Sequence, residues 1–334
     1  MSNLRKLGSV KNPRVKIEHE LMKPDWSLRT IWKELLSARK CQVVLLNASP
    51  ARLLLFCLFR YLFPYCRWKL VSLDQNLLAP QSTIERAIAG VKRILLKKVD
   101  LFILYLRDLT GYERYYGISA DRAVYVPFKS NVWDLIGSHN KLSSDGDYVL
   151  VAGRSLRDLE TFFEAIRISP YPSVLLHQGP QIMAKHGTIF HLGSLPDNVK
   201  IVEHDGKQES WIEFIRNARV VVIPTLPTIT AAGVSVYMDA MALNKCVILS
   251  DNPASRGILK DEAVIVPPME PLRLAEAIRE AWENDEFRER IASKGRKYAQ
   301  SLQGEYRLLF DIVEHCVALE EKELSDTNNE KIMG

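Results

Sequence analysis

Two stretches of this chain place glycine, hydroxyl and cationic side chains in an order that suits an anionic ligand. In the first, the apolar run Tyr148–Ala152 ends in Gly153-Arg154-Ser155-Leu156-Arg157-Asp158, ahead of a helical pattern from Leu159 to Ile168. A glycine and two arginines three apart at a helix start form a basic mouth, and a diphosphate is the ligand it fits. The alternative for Arg157 is an ion pair with Asp158 or Glu160 on a solvated turn. In the second, Ala218–Asp251, the β-branched run Val220–Ile223 leads into Thr225-Leu226-Pro227-Thr228-Ile229-Thr230-Ala231-Ala232-Gly233 and then into a helix with Val236, Ala240 and Leu243 on one face. Small residues and hydroxyls such as Thr230 leave the backbone N–H groups of Gly233, Val234 and Ser235 open to a phosphate. Asp239, more than one turn into the helix, can accept hydrogen bonds from sugar hydroxyls. It can equally be a structural residue bonded to a neighbouring loop, leaving Thr230 or Asp251 to serve the ligand.

These residues need strands that deliver them to one edge. Val220–Ile223 and Cys246–Leu249 have the length and composition of buried parallel strands, and the helix between them is a crossover. Ser173–His177, Asn198–Val202 and Ala263–Val266 read as further strands. Helices are expected at Trp211–Asn217, Ala254–Leu259, Pro271–Glu283, Asp285–Leu302 and Glu305–Glu323, with a turn at Gly179-Pro180. The amino-terminal half alternates in the same way. Its expected helices are Trp26–Lys40, Arg52–Phe63, Thr83–Lys98 and Thr110–Tyr116; its strands are Gln42–Leu46, Trp68–Leu73, Asp100–Leu106 and Ala123–Val126, with a short one at Arg14–Ile17. Asn47 follows the first of the main strands and Asp74 the second, at carboxyl ends where open α/β sheets place ligands. Asp74 either orients an acceptor hydroxyl or caps the following turn.

The chain of 334 residues suits two domains, and 47% hydrophobic with 25% charged residues is a globular composition. A net charge of +5 is too mild to support nucleic-acid binding. The five cysteines lack metal or disulfide spacing and read as buried thiols in a reducing compartment, and His177, His186 and His191 stand nine and five apart with no carboxylate partners, which argues against a metal site. The polar first forty residues contain no signal-type apolar run, so a cytoplasmic protein is expected. The helix Arg52–Phe63, rich in Leu and Phe, is either core or a face for a membrane or a lipid-borne acceptor. The basic side of Thr83–Lys98 (Arg86, Lys92, Arg93, Lys97, Lys98) is either solvated or drawn to anionic headgroups at the inner face of a membrane.

The stretch Asp239-Ala240-Met241-Ala242 resembles the nucleotide-sugar site of family-4 (group 1) glycosyltransferases, whose pattern is E-x7-E followed by A-M-A. Ala231 stands where the first glutamate would be. Gly153-Arg154 resembles the family's second signature, in which G-R is followed within a few residues by Lys; Arg157 takes the approximate lysine position. The resemblance implies an α/β, GT-B fold, with two Rossmann-like domains whose parallel sheets face across a cleft. The expected boundaries are 1–128 for a small acceptor domain, 129–147 for a linker and 148–302 for the nucleotide-sugar domain, followed by a terminal helix over 303–324 that packs back on the first domain and a disordered tail, 325–334. It implies a hexosyltransferase-type enzyme with a nucleotide-diphosphate sugar as donor and a glycan or lipid-linked acceptor near Asn47 and Asp74. Retention of configuration is expected, without cofactor or metal, with Arg154, Arg157 and Asp239 in the catalytic site. Two alternatives remain, a degenerate nucleotide-sugar-binding protein, suggested by Ala231, and a nucleotide-sugar epimerase, for which no paired acid and base stand out.

Overall fold

A computed structural model describes residues 16–17, 26–136, 146–189, 195–302 and 305–333. The chain divides into two compact units. Unit 1 holds the described residues up to Tyr105, then Leu109–Val126 and the chain from Tyr306 on; unit 2 holds Leu106–Asp108 and Pro127–Glu305.

In unit 1 four parallel strands, β1 (Val43–Leu46), β2 (Lys69–Leu73), β3 (Leu101–Leu104) and β4 (Ala123–Tyr125), lie side by side in chain order. Helices α1 (Leu28–Ala38), α2 (Pro50–Leu62), α3 (Thr83–Leu96) and α4 (Thr110–Tyr116) surround them. Start signals in the sequence account for the helix ends. Ser27 and Ser49 accept backbone N–H bonds at the starts of α1 and α2, Ser82 and Glu85 form a reciprocal capping box on α3, and Gly117 closes α4 in the left-handed conformation.

Unit 2 contains a six-stranded parallel sheet in the order β10-β9-β8-β5-β6-β7. Its strands are β5 (Val149–Ala152), β6 (Ser173–His177), β7 (Val199–Glu203), β8 (Val220–Ile223), β9 (Cys246–Ser250) and β10 (Val264–Val266). The helices are α5 (Trp133–Ile136), α6 (Leu159–Ile168), α7 (Pro180–Lys185), α8 (Gln208–Arg216), α9 (Val234–Ala242), α10 (Pro271–Glu283) and α11 (Asp285–Ser301). The central strands are buried on both faces, which explains their unbroken apolar runs. Leu150, Ala152, Val221 and Ile223 pack in one core with residues of α8 and α9, while Val149, Val151, Val220 and Val222 pack with residues of α6 and α10. The chain leaves β5 for β6 and β7, then returns to lay β8 on its other side. The β5–β8 junction is therefore the switch point where such sheets bind ligands.

Several expectations change. Residues 129–136, read as linker, belong to unit 2: Val132 and Ile136 enter its core and Lys129 and Ser130 are buried. The Ala254–Leu259 helix is a run of turns, Gly179-Pro180 opens α7, and α12 (Glu305–Met333) runs past Glu323 through the stretch read as a disordered tail. Lys16 and Ile17 are not in a strand; Arg14 lies outside the described residues. On α2, Phe56 and Phe59 are buried, whereas Phe63 at its end is 46% exposed, so only the end of this helix can offer an aromatic surface. Among the described residues no helix is long and apolar enough to cross a membrane.

Phe162, on α6, is fully buried in the α6–α10 core, beside Phe163 at a ring separation of 6.0 Å. Phe162→Ala should destabilise unit 2 by about 3–5 kcal/mol, read from chemical denaturation. A loss under about 1 kcal/mol would show that the layer collapses into the space, contrary to close packing there.

Candidate nucleotide-binding site

The two glycine-bearing loops leave β5 and β8, neighbouring strands, and meet at Arg157. This residue bridges to Thr225 in an antiparallel pair, and the loops are laced by backbone bonds from Asp158 N–H to Pro224 O (3.1 Å) and from Leu226 N–H to Leu156 O (2.9 Å). On the other side Thr188 pins the first loop. Its hydroxyl accepts from Arg157 N–H at 2.7 Å and donates to Arg154 O at 2.8 Å, and Leu156 N–H donates to His186 O.

Arg157 is 3% exposed, and its Nε and Nη1 donate to the carbonyls of Ala152 (2.8 Å) and Ser155 (2.7 Å). Its partners are neither Asp158, which caps α6 by accepting from Thr161 N–H, nor Glu160; no carboxylate pairs with it among the described residues. Burial pushes its pKa down to about 10, which still leaves it cationic at neutral pH. A buried cation held only by carbonyl dipoles is strongly disposed towards an anion.

The glycines make room for this guanidinium. Gly153 has φ +100°, and a Cβ there would stand 2.2 Å from Arg157 Nη2. Gly233 has φ +88°; a Cβ there would meet Ile223 Cγ2 at 2.6 Å and would lie 3.9 Å from the same Nη2. Arg157 thus reaches the start of α9, which no side chain caps, as an open helix N-terminus requires. Ser235 in its first turn is exposed and Val234 buried. Thr230 is buried and its N–H donates to Thr228 Oγ1. Arg154 is half-buried, with Nη1 donating to Gln178 Oε1 at 3.3 Å. Burial, and then the charge of Arg154, lowers the His186 pKa.

Asp239 faces the interior of unit 2. Oδ1 accepts from Ser130 Oγ (2.7 Å) and Asn131 N–H (3.1 Å), and Oδ2 from Trp211 Nε1 (2.9 Å). It therefore does what the structural alternative required, tying α9 to α8 and to the segment entering unit 2. Asp251 is held by Arg256 at 3.0 Å. Sequence reasoning missed the supporting polar residues. Asn252 donates to Thr225 Oγ1 and to Ser250 O, and Ser250 Oγ accepts from Thr225 N–H. Lone Thr, Ser and Asn residues after strands carry no periodic signal that would have revealed them.

In unit 1, Asn47 and Asp74 follow the adjacent strands β1 and β2 on one sheet edge. Asp74 adopts a left-handed φ of +47° and its N–H donates to Ile103 O at 2.8 Å. Desolvation raises its carboxyl to about 7 and, with the Asp74 charge as a lesser cause, raises the pKa of Tyr105. Gln75, one residue on, is anchored through Ala48 O and Tyr112 OH. Among the described residues, no three His, Cys, Asp or Glu side chains are grouped to hold a metal ion.

Two units with parallel sheets, the second bearing the arginine–glycine junction, define a GT-B fold. Residues 192–298 match the family model for Glycosyl transferases group 1, and no curated protein sequence matches the chain. Among solved structures, sucrose-phosphate synthase from Thermosynechococcus elongatus superposes with a TM-score of 0.69 at 20% identity, over 92% of this chain and 86% of that one. Anabaena HepE in complex with UDP gives 0.66 at 16% identity, over 87% and 82%. A glycosyltransferase from Rickettsia africae gives 0.63 at 14% identity, over 91% and 84%.

Burial raises the Asp239 carboxyl from 3.8 to about 6, against the opposing bonds from Ser130, Trp211 and the backbone. An acid with a raised folded pKa keeps its proton in the native state while the unfolded chain has lost it. Its contribution to stability accordingly falls as pH rises from about 4 to about 6 and is level above. Asp239→Asn removes this titration and sets an NH2 group against the Trp211 N–H. Denaturation at pH 4.5–7.5 should find the mutant less stable, with the deficit shrinking by about 2 kcal/mol towards neutral pH. A deficit that grows with pH would contradict it.

Proposed function

We propose that this protein is a glycosyltransferase that takes a sugar from a nucleotide-diphosphate sugar bound on unit 2 and passes it to a hydroxyl acceptor bound on unit 1. The observation that carries this reading is the buried, carboxylate-free guanidinium of Arg157 beside the uncapped start of α9. A diphosphate placed there meets the fixed cation of Arg157, a second in the half-buried Arg154, and the N–H groups of Val234 and Ser235. The charge that develops on the departing diphosphate is stabilised without reorganisation. With these cations in place the chemistry does not need a metal, and we read it as metal-independent, retaining hexosyl transfer. Asp239 already accepts from Ser130, Asn131 and Trp211, with the Val132 backbone N–H a further partner, so its assignment to a ribose hydroxyl rests on the Asp239-Ala240-Met241-Ala242 resemblance and requires one of these bonds to be shared with the ligand. On unit 1, Asn47 and Asp74 are assigned to a glycan or lipid-linked acceptor, at the inner face of a membrane in a cytoplasmic setting. The HepE structure holds UDP, which makes UDP and UDP-glucose the first ligands to try.

Ala231, partly buried against the core at the position of the family's first glutamate, favours a second reading, a chain that binds the donor without turning it over. Release of UDP from UDP-glucose on adding acceptor supports transfer; donor binding with no release supports the second reading.

Arg154→Ala should weaken UDP binding by about ten- to a hundredfold while leaving uridine binding nearly unchanged, as expected for a charge-assisted contact to phosphate. Calorimetric titration with both ligands measures this, and equal losses would remove Arg154 from the diphosphate site. Ribo- and 2′,3′-dideoxy nucleotides test the Asp239 assignment in the same way, since a fold-intact Asp239→Asn protein should lose part of its preference for the ribo form.

A further inference from the structure

Unit 1 contains a cavity of about 920 Å³ between α1, the end of α2 and the starts of β1 and β2, on the sheet edge opposite Asn47 and Asp74. Its walls are Trp32, Leu35, Phe59, Phe63 and Trp68. Four cations line it, Arg39, Arg60, Arg67 and Lys69, against one carboxylate, Glu320, which accepts from Gln42 Nε2 at 2.9 Å. Arg60 is committed to Asp100 at 2.6 Å, whereas Arg39 and Arg67 are exposed and have no ion-pair partner among the described residues. The indole Nε1 of Trp68, a residue only 3% exposed, has no acceptor.

The surroundings are apolar and face outward. Tyr65 at the rim is 94% exposed and Leu62 at the end of α2 66%. On α3, Ile84, Ile88, Val91 and Ile94 point to solvent, while the helix buries only Ala89 and Leu96. Lys98 Nζ sits 4.9 Å over the Tyr61 ring and links this row to the end of α2.

We propose that the cavity binds the anionic headgroup and upper acyl chain of a bilayer lipid, and that unit 1 docks through it on an anionic membrane, with Tyr65, Leu62 and the outer row of α3 in the interface. Apolar walls below unpaired arginines fit an amphiphile, while a free phosphate would leave those walls unmatched. A second copy of the chain would bring the same cations against each other, and an anionic surface neutralises them. A lipid phosphate or glycerol oxygen also supplies the acceptor that Trp68 Nε1 lacks. None of this depends on the donor site, so the proposal and the transferase reading fail separately.

The test uses the full chain and two probes, lysophosphatidylglycerol below its micellar concentration and vesicles of phosphatidylglycerol with phosphatidylcholine. Tryptophan emission should change saturably with the lysolipid and not with inorganic phosphate, and the protein should sediment with the anionic vesicles but not with phosphatidylcholine alone. Arg39→Glu with Arg67→Glu, both at exposed positions, should reduce lysolipid affinity by about tenfold or more with melting temperature and UDP affinity unchanged. Inorganic phosphate binding as tightly as the lysolipid, lysolipid binding that survives the double substitution, or no response to either probe would each overturn the proposal.

Discussion

The loop junction of unit 2 depends on where one guanidinium lies. Arg157 is buried at the β5–β8 junction, where, among the described residues, the carbonyls of Ala152 and Ser155 hold its side chain. That arrangement is costly in an empty site and favourable once an anion arrives, because a cation already desolvated interacts strongly with the next charge brought to it. The constraint spreads outward. Gly153 and Gly233 cannot carry a Cβ, since either would crowd the guanidinium or Ile223, and Thr188 fixes the loop by bonding the backbone on both sides of Leu156. Arg154, three residues earlier in sequence, is tied to the same lacing through its carbonyl, while its guanidinium is half-buried and bonds Gln178.

The two units use the same strand-and-helix grammar to different ends. Unit 2 buries its central strands on both faces and holds α9 almost wholly inside, which makes the start of that helix a rigid fixture. Unit 1 has a narrower sheet and leaves one side of α3 bare. Rigid placement suits a site that must meet a developing charge, and an outward apolar face suits a surface whose partner supplies the cover.

Strand and helix order was legible in the sequence because burial on both faces forces continuous Val/Ile/Leu runs, and because capping residues such as Ser82 with Glu85 and Gly117 act locally. The glycine–arginine junction was legible for a similar reason, since both loops leave strand ends with glycine and cationic or hydroxyl side chains in a short run. Direction was less so. Helical spacing on α3 groups Ile84, Ile88, Val91, Leu95 and Leu96 on one side, yet the first three are exposed and Leu96 is buried, because spacing cannot say which part of a helix meets the protein and which the solvent.

The sequence by itself therefore determined the elements, the two-unit α/β class and the glycine–arginine loops, all of which follow from short-range sterics and periodicity. Only the tertiary structure decided that Arg157 turns inward to backbone carbonyls instead of outward to Asp158 or Glu160, that residues 129–136 belong to unit 2, and that Asp239 answers to Ser130, Asn131 and Trp211. Ser130 and Asp239 stand more than a hundred residues apart in the chain, and such contacts are set by how layers pack, which local pattern does not encode.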